Sequence, residues 1–173
     1  MDVYRCSLVL LLMGTPVVFS NVVSRQERTI NEVCHPSDGR LFSIHTNPAE
    51  IWTSARDDCV ADGGQLASVK DSETFQFLRD FFANNPDVTA DISRGVWIGL
   101  NDLSQEGDFY WLDGEALGDF HPWSGNNPNN DLKKDSCHGQ DCVQLWKVRN
   151  WEFDDDYCHF KKKAYICEYA DEC

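Results

Sequence analysis

The chain has 173 residues, 42% of them hydrophobic and 25% charged, with a formal net charge of -14 at pH 7. That length suits one compact domain around a single core rather than two. So acidic a surface repels phosphate backbones and anionic headgroups, which disfavours nucleic acid and membrane partners and favours divalent cations wherever carboxylates cluster.

In chain order, residues 1–20 read as a secretory signal peptide. A short polar start precedes an apolar run from Ser7 to Met13 that is too short to span a bilayer, and Gly14 and Pro16 break the run ahead of Val18, Phe19 and Ser20. No other apolar stretch is long enough for a span, so membrane insertion is not expected. The leader implies a secreted, extracellular protein in a compartment where disulfides persist. Once Cys6 leaves with it, Cys34, Cys59, Cys137, Cys142, Cys158, Cys167 and Cys173 remain, an odd number for such a compartment. Residues 21–33 show no clean period and read as a flexible N-terminal segment.

Leu41, Phe42 and Ile44 make residues 40–45 a short strand. Asn47-Pro48 then starts a helix that runs to about Ala61. Ile51, Trp52, Ala55, Cys59 and Val60 fall on its buried face at three- and four-residue spacing, and Gly63-Gly64 stops it. A short extended piece follows at residues 66–69. Asp71-Ser72-Glu73-Thr74 is an N-terminal helix signature, and Phe75, Leu78, Phe81 and Phe82 repeat at helical spacing until Asn84-Asn85-Pro86 ends the run. This phenylalanine stripe reads as core rather than as a cofactor box, because amphipathic helices bury such stripes. Residues 86–95 read as a loop. Strand formers crowd residues 96–100 and 109–111, and Asp113-Gly114 marks a turn. Residues 142–148, 151–153 and 164–169 complete the short strands, with Arg149-Asn150 a tight turn between two of them. Two helices followed mostly by a sheet give the α+β class.

Residues 123–158 concentrate amides and carboxylates beside a proline, inside a frame of cysteines and tryptophans. Trp123, Trp146 and Trp151 read as core packing rather than as platforms for sugar rings. Zinc at His138 and His159 is not expected, because the neighbouring Cys137 and Cys158 lie in an oxidised compartment and lack compact pair-and-pair spacing. Lys161-Lys162-Lys163 reads as a solvated turn rather than an anion site. No Ser or Cys stands beside a His in a hydrolase motif, so an enzyme is not expected.

Several separated motifs occur in a fixed order: Trp52, Ala55 and Cys59 ahead of Gly63-Gly64-Gln65-Leu66-Ala67, then Trp97-Ile98-Gly99-Leu100, then Trp111-Leu112-Asp113-Gly114 with Trp123, then Cys142, Cys158 and Cys167. The set resembles the C-type lectin domain over residues 40–169, and the domain is bounded here as residues 34–173. The resemblance implies two helices packed on short antiparallel sheets, a long ligand-binding loop, and disulfides Cys59–Cys167 and Cys142–Cys158. In the family the first and last strands run side by side. Cys34 precedes the first about as closely as Cys173 follows Cys167, so a Cys34–Cys173 bridge is expected. Cys137 is then free or interchain, which would give a disulfide-linked homo-oligomer.

In calcium-dependent members of that family, a triplet around a cis proline, an acid before the third cysteine pair and a triplet before its partner hold one calcium and the sugar hydroxyls. The matching positions here are Asn127-Pro128-Asn129, Gln140, and Phe153-Asp154-Asp155. The resemblance thus assigns the principal calcium and the carbohydrate to Asn127, Asn129, Gln140, Asp154 and Asp155, with a cis bond before Pro128. Amides at Asn127 and Gln140 make the site less anionic than the familiar one, so weaker calcium binding is expected. An amide donates or accepts, so these positions also leave the sugar preference open. Asp102, Glu106, Asn130 and Asp141 match an auxiliary calcium, with solvated loop acids as the alternative. The implied function is a secreted, calcium-dependent lectin that recognises microbial or extracellular glycans in innate immunity and agglutinates if multivalent. A calcium-independent module that binds protein or another non-sugar ligand is the alternative.

Overall fold

The computed structural model describes residues 31–170 and Cys173. The expected signal peptide and residues 21–30 of the lead-in lie outside the described residues. The elements in chain order are β1 (Glu32–Cys34), β2 (Leu41–Glu50), α1 (Trp52–Ala61), β3 (Gln65–Leu66), α2 (Ser72–Asn84), α3 (Pro86–Asp91), β4 (Gly95–Asn101), β5 (Tyr110–Trp111), β6 (Cys142–Trp146), β7 (Glu152–Asp156) and β8 (Lys163–Tyr169). The class is α+β, as expected. The sheet runs β1-β2-β8-β4-β6-β7, with β3 added on β8 and β5 on β4. Among the described strands only β4 and β8 pair in parallel; β2 and β8, the first long strand and the last, lie antiparallel. No helix among the described residues is long and apolar enough to cross a membrane.

Two apolar clusters flank the sheet. One joins Phe75, Leu78, Phe81 and Phe82 of α2 to Ile98, Leu145 and Phe153. The other joins Trp52, Ala55 and Cys59 of α1 to Trp97 and Cys167. The α2 N-cap forms as its sequence dictates: the Asp71 carboxylate accepts from the Thr74 N–H at 2.7 Å. Trp52 ties α1 to the central strand by donating from Nε1 to the Ile98 carbonyl at 2.8 Å. Gly99 has no room for a side chain, since a Cβ there would stand 2.7 Å from the Leu66 carbonyl oxygen. Three disulfides staple this frame: Cys59–Cys167, Cys142–Cys158 and Cys34–Cys173. Cys137 is free and exposed.

The structure departs from the sequence reading in several places. Helix α1 begins at Trp52, not Pro48, because β2 continues through Pro48 with a cis Asn47–Pro48 bond and a register irregularity between His45 and Glu50. A residue before proline is driven away from helical backbone, and proline itself has no N–H for the ladder. Val60 is 60% exposed rather than part of the buried face, and Ile51 is only half-buried. Residues 86–91 form α3, with Pro86 pre-set at its first turn. The end of the segment read as flexible is a strand: Glu32 and Val33, with Cys34 of the expected domain, pair with β2 in the register Glu32↔Ser43 to Cys34↔Leu41. Strand β6 stops at Trp146, and a short 3-10 turn spans Lys147–Arg149.

Candidate functional site

The β6–β7 hairpin sets the geometry of the long loop. Its register pairs Cys142 with Asp156, Val143 with Asp155, Gln144 with Asp154 and Leu145 with Phe153. Because strand side chains alternate, Val143, Phe153 and Asp155 share one face, while Gln144, Trp146, Asp154 and Asp156 share the other. Along the open edge of β7 the loop is drawn in by backbone bonds: Ser124 N donates to Phe153 O, and Phe153 N to Pro122 O, both at 2.8 Å. Trp123 packs edge-on against Phe109 and Phe153.

Asp155 is the anchor of the loop tip. It is 1% exposed, and its Oδ2 accepts from the backbone N–H groups of Asn129 at 2.8 Å and Asn130 at 2.6 Å. Its Oδ1 is buried without a hydrogen-bond partner. Burial raises the pKa of this carboxylate, and the two loop N–H groups work against that rise. Asp154 receives the Asn127 side-chain amide on Oδ1, and Gln144 Nε2 on Oδ2 at 2.6 Å. Asn129 Nδ2 in turn donates to Asn127 Oδ1. Desolvation pushes the Asp154 pKa up to about 6, with the charges of Asp156 and Asp155 acting in the same direction. Gln140 is oriented by its loop: its N–H donates to Asn130 Oδ1 at 2.8 Å and its Oε1 accepts from Asp131 N at 2.9 Å. The Asn127–Pro128 bond is cis, as the resemblance implied.

Across the loop, Asp102 is 3% exposed and accepts from Gly107 N at 2.8 Å, leaving its Oδ1 buried and without a partner. Burial raises its pKa to about 7, helped by the charges of Glu106 and Asp141. Asp141 is also buried, and burial raises its pKa. Glu106 is exposed; partial desolvation and then the charges of Asp141 and Asp155 raise its pKa. Asp102 is therefore no solvated loop acid, whereas Glu106 is open to solvent. Asn130 spends its Oδ1 on the Gln140 N–H.

Among the described residues, no three His, Cys, Asp or Glu side chains are gathered into a group that could hold a metal by themselves. Amides supply much of the oxygen at the principal position, so such a cage is not the form a site here would take. The donors that are present suit a hard cation: carboxylates and amide carbonyls crowd together, two buried acid oxygens lack partners, and burial with mutual repulsion raises the acids' pKa values.

Gln144 and Asp156 beside the site escaped sequence reasoning, and Lys163 and Trp146 take other roles than the sequence suggested. Gln144 faces Asp154 across the ladder, a partner that counting back from Cys142 and Cys158 in a hairpin register could have revealed. Asp156 and Lys163 form a buried ion pair at 2.7 Å, and Lys163 also lies 4.8 Å from the centre of the Trp97 ring. Lys163 is 2% exposed and begins β8, which corrects the reading of residues 161–163 as a solvated turn. Trp146 is half-buried with Arg149 over its ring, so it is not core packing; Trp151 is, stacked on Phe82 at 4.0 Å.

The hairpin, the cis-proline loop and the three-disulfide frame define a lectin-like domain. The chain belongs to the C-type lectin family: the Lectin C-type domain matches residues 48–169. Lectin BRA-3 of Megabalanus rosa is 35% identical over 134 residues, covering 76% of this chain and 72% of that protein. A Perlucin-like protein of Mytilus galloprovincialis is 29% identical over 118 residues, covering 67% of this chain and 68% of that protein. Among solved structures, the C-type lectin CEL-I of Cucumaria echinata shares the fold at a TM-score of 0.67 and 21% identity, covering 84% of this chain and 99% of its own. A calcium-independent type II antifreeze protein aligns at a TM-score of 0.63 and 26% identity, covering 83% of this chain and 94% of its own.

Proposed function

We propose that the chain is a secreted, calcium-dependent lectin that binds glycans on microbes or extracellular glycoproteins. The observation that carries this reading is the pair of buried carboxylates, Asp102 and Asp155, each with one oxygen unsatisfied beside further acids of raised pKa. A buried charged oxygen without a donor is costly, and a divalent cation relieves that cost. Asn127, Asn129, Gln140, Asp154 and Asp155 would hold the principal calcium, and Asp102, Glu106, Asn130 and Asp141 an auxiliary one. A calcium held there would supply a hard Lewis-acid centre for sugar hydroxyls. The amides and carboxylates of the principal set hydrogen-bond the same hydroxyls and so orient the ring. Residues 34–173 carry this activity, after a leader at residues 1–20. The exposed Cys137 provides a thiol that would link two such domains and multiply weak sugar contacts.

A second reading has its own observation. Asn129, Asn127, Asp154 and Gln144 already hydrogen-bond one another in a chain, an arrangement that needs no metal. The likeness to a calcium-independent antifreeze protein points the same way. One titration separates the two. Calcium added to the apo protein should raise its thermal midpoint and change its tryptophan fluorescence, and Asp155→Asn should weaken that response about 10-fold or more. If calcium and EDTA leave both the midpoint and glycan binding unchanged, the calcium-dependent reading is wrong.

A further inference from the structure

The hairpin face that carries Gln144, Trp146, Asp154 and Asp156 forms, with Asp131, Lys134 and Gln140 of the long loop, a cleft of about 230 Å³. The cleft shares Gln140 and Asp154 with the principal site, so a ligand seated there would be continuous with a sugar at that site. Its chemistry differs. Arg94, Lys134 and Lys161 come to it from three separate segments, and none of their charged groups has a salt-bridge or hydrogen-bond partner among the described residues. Half-buried Trp146 and the buried Tyr157 line it as well, with the Tyr157 hydroxyl accepting from Lys134 N at 3.2 Å.

Three carboxylates also face the cleft, Asp131, Asp154 and Asp156. Asp156 is neutralised from beneath by the buried Lys163 at 2.7 Å. Asp154 belongs to the proposed calcium set, whose cation would cancel its charge. Asp131 is left against Arg94, Lys134 and Lys161, so the cleft is cationic in a chain whose net charge is -14. Desolvation pushes the Lys161 ammonium pKa down, and Lys134, Arg94 and Lys163 crowd it in the same direction against the opposing pull of Asp156. An anion would relieve that crowding.

We propose that this cleft is a subsite for an anionic substituent, a sulfate or a carboxylate, on a glycan whose adjoining sugar occupies the principal site. Arg94 presents a planar fork suited to either group, Lys134 and Lys161 present point charges, and half-buried Trp146 adds aromatic surface to the lining. The inference rests on the proposed calcium-dependent sugar binding, and its test keeps the two apart.

The test uses the full secreted chain in calcium and low salt, on an array of matched saccharides that differ only in one substituent. Lactose, 3′-sulfolactose and 3′-sialyllactose form one set; N-acetylglucosamine and its 6-sulfate form another. Wherever the neutral member binds, the anionic member should bind about 10-fold more tightly, and the gap should narrow as salt is raised. The sulfate and sialic acid arms report which anion is preferred. In the variant Arg94→Gln/Lys134→Gln/Lys161→Gln the gap should close while affinity for the neutral member is unchanged. Equal affinity within every set, or a gap that survives the triple variant, overturns the subsite and leaves the lectin reading intact. Failure of every saccharide to bind in calcium overturns the lectin reading and the subsite with it. Anionic binding alone, lost in the triple variant, supports the subsite without the neutral-sugar reading.

Discussion

Lys163 offers the sharpest test of how the site is supported. The residue is 2% exposed, and its ammonium lies 2.7 Å from Asp156 Oδ2 and 4.8 Å from the centre of the Trp97 ring. Lys163→Met keeps the stem and removes the charge, leaving the buried Asp156 carboxylate with Tyr157 N at 2.9 Å and two long amide contacts at 3.4 Å from Gln140 and Gln144. Breaking a buried pair from one side costs about 3–5 kcal/mol, and the surviving donors place this case near the lower figure. For a domain of this size that is a fall of roughly 10 °C in thermal midpoint. Asp156→Asn alone strands the ammonium and should be destabilised by a similar amount. The double variant carries no buried charge at this point and should recover to within about 1 kcal/mol of wild type, a coupling well above ~2 kcal/mol. Urea denaturation of the four proteins, followed by tryptophan fluorescence, measures the cycle. A Lys163→Met variant as stable as wild type, or simple additivity in the double, would refute the electrostatic account.

Four further outcomes follow from particular features. In EDTA, Asp102 and Asp154, with folded pKa values of about 7 and about 6, hold protons more tightly than the unfolded chain does. Their contribution to stability therefore falls as pH rises through roughly 4 to 7, so the apo midpoint should be higher near pH 5.5 than near pH 7.5, and Asp102→Asn should flatten the slope. The proposed calcium would compete with those protons, so any stabilisation by added calcium should shrink over the same acid window. Gly99→Ala brings a methyl within 2.7 Å of the Leu66 carbonyl oxygen and should cost about 1–3 kcal/mol in denaturant unfolding. Dimer seen on a non-reducing gel should vanish in Cys137→Ser, and a wild type that runs only as monomer removes the covalent route to multivalency.

The frame of the fold was legible because its signals are local or covalent. The Asp71 cap and the α2 phenylalanines announce their helix, and the ordered tryptophan, glycine and cysteine motifs match the family, from which the disulfide pairing follows. The start of α1 was missed because Pro48 is a good first helical residue by local rules, while pairing with β8 overrides that preference. The candidate site was legible in its residues but not in its supports. Gln144 and Trp146 become relevant only through a hairpin register, and Arg94, Lys134 and Lys161 meet only after three distant segments fold together. Lys163 looks like the end of a solvated basic run until Asp156 supplies its buried counter-charge. Sequence shows that a side chain can ionise; only the fold shows what it faces.

The turn between β6 and β7 carries two consecutive residues in left-handed backbone, Asn150 at φ 58° and Trp151 at φ 65°. A bulky side chain in that conformation is disfavoured by roughly 1–2 kcal/mol, a cost offset here by the stack of Trp151 on Phe82. With the Cys142–Cys158 bridge closing the other end, the hairpin is indexed from both sides. A slip of one residue would exchange every side chain between the two faces and turn Asp155 away from the loop it anchors. Because the index lies outside the loop itself, exposed loop positions such as Leu132 and Lys133 can change without shifting the register. New ligand preferences can thus arise by drift in the loop alone, on a hairpin that keeps its place.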